Sequence, residues 1–121
     1  MSGATDEHQH HVLYHENGAL SAEWSTLHGR LSGVHKMWYD NGQVLAELTF
    51  RDGLADGRIR EWSRDGHLTL DATMINGRYW GSYRRWWDDG TPDCEGSMAN
   101  GKRLPGFIEY NEDGTVRRIL R

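Results

Sequence analysis

Three series of glycines recur every 24 residues through this chain of 121 residues. The first, Gly18, Gly42, Gly66, Gly90 and Gly114, closes five copies of one phrase: an aromatic residue four positions earlier, and Asn or Asp immediately before the glycine. The second is Gly29, Gly53, Gly77 and Gly101. The third, Gly33, Gly57 and Gly81, keeps step until Pro105 takes the next slot and Gly106 follows it. Three columns in phase over about a hundred residues define a repeat protein. A glycine this often leaves no room for a helix. Asn-Gly or Asp-Gly between short alternating segments signals a β-hairpin, because both central residues of a type I′ turn need positive φ. The turns at His28-Gly29, Asp52-Gly53 and Asn76-Gly77, each running on to a further glycine, suit wider loops. Two strands per unit then give about ten short strands: an all-β antiparallel meander of five 24-residue hairpins, forming an elongated twisted sheet. Residues 1–10 read as a flexible lead-in and 11–121 as a single repeat domain.

Taking each Asn/Asp-Gly as a two-residue loop fixes a register. It sets Lys36 opposite Glu47, Arg60 opposite Asp71 and Arg84 opposite Glu95. The same position holds Val12 and Glu23 in the first unit, and Ile108 and Ile119 in the last. Three opposite-charge pairs and one matched apolar pair favour this register over its neighbours. Side-chain alternation assigns the column Tyr14, Trp38, Trp62, Trp86, Tyr110 to the face that carries the charge pairs. Leu20, Val44, Leu68 and Val116 fall on the other face, with Ala22, Ala46, Leu70 and Cys94 and with Thr26, Phe50, Met74 and Met98. That second face is the expected buried one.

The run Asp40-Asn41-Gly42 through Asp52-Gly53-Leu54-Ala55-Asp56-Gly57 to Trp62, with its copies 24 residues away on either side, resembles the MORN-repeat variant, whose bacterial members include YwqK-family antitoxins. The resemblance spans about residues 12 to 120. It implies stacked hairpins whose repeated aromatics grip a protein partner, which for the antitoxin-like members is a toxin. Pro105 in a glycine slot departs from the pattern, so Lys102 to Gly106 is expected to bend differently, with the last unit acting as a cap.

Composition bounds the function. The net charge of −4 argues against nucleic-acid binding, which needs a basic footprint, and suits a basic protein partner. No apolar stretch is long enough to span a membrane, and neither a signal peptide nor a basic amphipathic helix is evident. A single cysteine, Cys94, fits a reducing compartment, with cytoplasm as the default. Repetition works against the unique constellation a catalytic site requires, so no enzyme is expected. No cofactor or metal is expected either, although His8, His10, His11 and His15 cluster near the start.

The candidate partner-binding residues are Tyr14, Trp38, Trp62, Trp86 and Tyr110 of the column, with Trp80, Tyr83, Arg84 and Trp87. The last group stands in the aromatic- and arginine-rich segment 79–87, a composition typical of interface hot spots. The column's large rings equally suit packing between hairpins. The expected function is a protein-binding module, in its sharpest form an antitoxin or immunity-like protein. The alternatives are a self-associating structural scaffold or an inhibitor of another cellular or phage-defence protein. The sequence leaves the oligomeric state open.

Overall fold

The computed structural model describes residues 7–121. Part of the expected lead-in, residues 1–6, lies outside that range. Its residues 8–10 are already strand: β1 (His8–Tyr14) pairs with β2 (Leu20–Leu27) from His8 opposite Leu27 onward. The chain then continues through β3 (Arg30–Leu31), β4 (Gly33–Trp38), β5 (Val44–Arg51), β6 (Leu54–Trp62), β7 (Leu68–Ile75) and β8 (Arg78–Trp86). It ends with β9 (Pro92–Ala99), β10 (Lys102–Arg103), β11 (Ile108–Tyr110) and β12 (Val116–Ile119). All belong to one open antiparallel sheet in chain order, with β3 and β10 as two-residue stubs beside β2 and β9. No helix forms among the described residues. Ten strands side by side span roughly 43 Å, against about 27 Å along an eight-residue strand, so the sheet is wider than its strands are long.

The expected register is present throughout. Lys36 faces Glu47, Arg60 faces Asp71, Arg84 faces Glu95, Ile108 faces Ile119, and Val12 faces Glu23. The turns that produce it are the reverse of those expected. His28 (φ 51°) and Gly29 (φ 77°) are both left-handed, and so are the residue pairs at 52–53, 76–77 and 100–101. These are the two-residue loops, joining Leu27 to Arg30 and Arg51 to Leu54.

At residues 17–18, 41–42, 65–66, 89–90 and 113–114 only the glycine is left-handed. Gly42 N–H donates to the Tyr39 carbonyl (3.1 Å), and Tyr39 N–H donates to the Gln43 carbonyl (2.8 Å), which encloses a three-residue loop, 40–42. A bulge follows at once: Trp38 faces Val44, while Met37 faces Ala46. The extra loop residue and the bulge cancel, so outer pairs stand where a two-residue loop would have put them.

The bulge also corrects one column. Val44 stands opposite Trp38, Leu68 opposite Trp62, Leu20 opposite Tyr14 and Val116 opposite Tyr110, so these residues share the aromatic column's side of the sheet. The rest of the second face is the buried one, as expected. Ala22, Ala46, Leu70, Cys94 and Met98 are buried there. They are joined by a central row the periodicity did not single out: Ile59 and Ala72 pack with Leu48, Met74, Tyr79 and Tyr83, and Phe107 packs with Cys94 and Met98. Toward β1 this row becomes a stack, His11 on Trp24 and Trp24 on His35, with ring centroids 5.3 Å apart in both pairs.

The strand leading into the last unit breaks at Leu104–Phe107, as Pro105 suggested. The break turns Phe107 inward until it is 1% exposed, the largest fully buried side chain among the described residues.

Candidate partner-binding face

The loops of 40–42 type are tied side by side. Asn17 and Asn41 each accept a backbone N–H two residues on through Oδ1 (2.9 Å), closing their own loop. Each also donates through Nδ2 to a carbonyl of the next loop, that of Asp40 (2.9 Å) and Arg64 (3.2 Å) respectively. Asp89 and Asp113 close their loops through the same acceptor but have no N–H to pass on. A second tie runs beside the first: His15 Nε2–H donates to the Trp38 carbonyl (2.8 Å) and the Tyr39 hydroxyl to the Trp62 carbonyl (2.7 Å). Ser63 stands at the following position; its hydroxyl accepts from His67 N–H of its own loop (3.2 Å).

On the face of the aromatic column, one row crosses all ten main strands. From Glu23 to Glu95 it reads Glu, Lys, Glu, Arg, Asp, Arg, Glu, with Val12 at one end and Ile108 and Ile119 at the other. Glu47 is held between Lys36 (3.3 Å) and Arg60 (2.8 Å). Asp71 is gripped by both arms of Arg58, at 2.9 and 2.8 Å, and that hydrogen bonding holds its carboxyl below the usual range.

The cations also cover the column: Lys36 lies 5.5 Å from the Trp38 ring centroid and Arg60 5.3 Å from that of Trp62. The series stops there. Arg84, two residues before Trp86, makes neither that contact nor an ion pair among the described residues.

The candidate residues therefore divide. Trp38 and Trp62 are half-buried beneath their own cations. Tyr14, on outer strand β1, is 65% exposed, while Tyr110 is half-buried on β11. Trp80 lies apart, in a shallow depression with Ile75, Arg78 and Asn100. Tyr83 points to the opposite face from its neighbour Arg84, because adjacent strand residues alternate. Trp86 belongs to the column's face, yet it borders the same opening as Tyr83 and Trp87. They line one cleft of about 660 Å³ between the third and fourth repeats, together with Leu70, Tyr79, Arg85 and the acids Glu61, Asp88 and Asp93.

Tyr79 and Tyr83 meet edge to face at 5.1 Å in the cleft wall, and burial pushes both phenols above their ordinary range. Arg85 leans on Asp93 at 3.6 Å. Glu61 gave no signal in the sequence, since its repeat positions hold Leu13, Met37, Arg85 and Glu109. Asp88 had one, in the column Glu16, Asp40, Arg64, Asp88, Glu112.

Three of the clustered histidines engage other groups: the His10 ring lies 3.3 Å from the Glu23 carboxylate, His11 stacks on Trp24 and His15 bonds the Trp38 carbonyl. Among the described residues no group of His, Cys, Asp and Glu converges as a metal site would, and no helix is long and apolar enough to cross a membrane. Cys94 is buried in the Met98–Phe107 cluster, where burial pushes its thiol up.

No curated protein and no solved structure matches the chain. Residues 31–52, which run from the end of β3 through β4, one three-residue loop and β5, match the family model of the MORN repeat variant.

Proposed function

We propose that this chain is a non-catalytic protein-binding repeat module that holds its partner through the aromatic surface of its later repeats. The observation that carries the reading is the change at the fourth repeat. Trp38 and Trp62 are covered by cations of their own repeats, whereas Trp86 and the 43%-exposed Trp87 border an open cleft. An exposed indole beside arginines, as Trp87 is, belongs to the composition that dominates binding energy at protein interfaces. Repeats are also suited to holding a surface rather than to chemistry. In the sharper form that the MORN-variant resemblance implies, the module is an antitoxin or immunity-like protein that neutralises a toxin by stoichiometric occlusion. The acidic net charge favours a basic toxin through electrostatic steering.

A pull-down from native lysate, read by mass spectrometry, tests this. The control bait is Trp86→Ala/Trp87→Ala, first shown to be folded. One stoichiometric protein, lost with the control, is the expected result. For the antitoxin form, that protein must also arrest growth when expressed alone and stop doing so when this chain is co-expressed. Recovery of this chain alone, with a defined oligomer in light scattering, would favour the scaffold alternative, in which exposed outer strands such as β12 pair between copies.

A further inference from the structure

The cleft between the third and fourth repeats carries unbalanced charge. Three carboxylates line it, those of Glu61, Asp88 and Asp93, against one guanidinium, that of Arg85. Arg85 is engaged with Asp93. Glu61 and Asp88 have no ion-pair partner among the described residues, and Asp88 belongs to a loop edge rich in acids, with Asp89 beside it and Glu112 on the next loop. The walls are aromatic: Tyr79, Tyr83, Trp86 and Trp87.

We propose that this cleft receives an arginine of the partner protein, whose guanidinium lies against the aromatic wall and is held by Glu61 and Asp88. The proposal rests on the protein-binding reading and names the chemistry of its contact. Arginine fits better than lysine because its planar, weakly hydrated guanidinium stacks on rings and meets carboxylates in two-pronged fashion. The volume, about 660 Å³, leaves room for the residues flanking that arginine. Tyr79 and Tyr83, neutral as phenols are at physiological pH, supply apolar wall without competing as charges.

The test is a titration of the full chain with a blocked hexapeptide containing two arginines, followed through the indole N–H signals of Trp86 and Trp87 in NMR spectra. Matching peptides carry citrulline, or lysine, in place of arginine. The arginine peptide is expected to shift those signals and to bind about tenfold more tightly than the citrulline peptide. Glu61→Gln/Asp88→Asn is expected to abolish that preference while the amide spectrum stays dispersed. Equal binding of the citrulline or lysine peptide, no shift at millimolar peptide, or an unchanged preference in the double variant would each overturn the arginine assignment. The pull-down separates this outcome from the broader reading. A partner held equally well by wild type and by Glu61→Gln/Asp88→Asn leaves the binding module standing and removes the arginine site. If no partner is captured, the module reading fails and the peptide titration still decides the cleft.

Discussion

Gly96 stands apart from the other described glycines, which all have positive φ. Its backbone is ordinary strand, and what requires glycine there is a neighbour. A Cβ at this position would lie 2.5 Å from Phe107 Cδ2 and 2.9 Å from its Cα. Gly96→Ala is therefore expected to destabilise the fold by about 1–3 kcal/mol in denaturant unfolding, against the small gain alanine brings to an unhindered strand. Phe107→Ala is expected to cost about 3–5 kcal/mol. The double variant should lose less than the two added together, because each change makes room for the other. This residue-level fit was not legible in the sequence. The row through Phe107 holds His11, His35, Ile59 and Tyr83 at its repeat positions, and the facing row holds Trp24, Leu48, Ala72 and Leu120 beside Gly96. Residue type is not repeated along those rows, so a search for recurring letters passes over the part of the sheet that holds its largest fully buried side chain.

At the scale of single elements, the glycine columns and the charge pairs were legible and the turns were not. Asn41-Gly42 carries the strongest hairpin signal known for a two-residue loop. Here Asn41 instead has a structural task on either side of itself, closing its own loop and donating to the Arg64 carbonyl. Asn41→Asp keeps the first bond and loses the second. It is expected to lower stability by about 0.5–1.5 kcal/mol, measured by thermal or denaturant unfolding, whereas Asp65→Asn could add such a bond and should do no harm. At the other end of the sheet, β12 is held by one acid. Glu109, with a side chain only 13% exposed, meets Arg103 at 2.6 Å, Arg117 at 2.9 Å and Arg118 at 3.1 Å. The Arg117 hydrogen bond is the first cause of its lowered pKa. Glu109→Gln should speed hydrogen exchange of the amides of residues 116–119 and leave those of β5 to β7 unchanged, since coupling in a stacked-repeat sheet falls off with each neighbour.

For the whole molecule, acid should act in two steps. Burial lowers the pKa of His35 below its ordinary 6.5, so as pH falls through that value the unfolded chain takes up the proton before the folded one does, and stability declines. Asp71, Asp40 and Glu109 have pKa values depressed by arginine partners. Their contribution is complete above the ordinary carboxylate range and is lost as pH drops through their lowered values. Melting curves between pH 7.5 and 3 should show both declines, and His35→Phe should flatten the first while sparing the second.

The ties between loops carry a mechanical meaning. Asparagine amides, a histidine and a tyrosine clamp the first loop to the second and the second to the third. From the third onward the equivalent positions hold Ser63, Asp65 and Asp89; the bonds of Ser63 and Asp89 stay inside their own loops, and a carboxylate at 65 has no N–H to donate to the next. Along that edge the sheet is a beam braced for the first part of its length and unbraced for the rest. Bending compliance is then greater beyond the third loop, in the part of the sheet that holds the cleft, and a bound partner that spans that part would act as the missing brace.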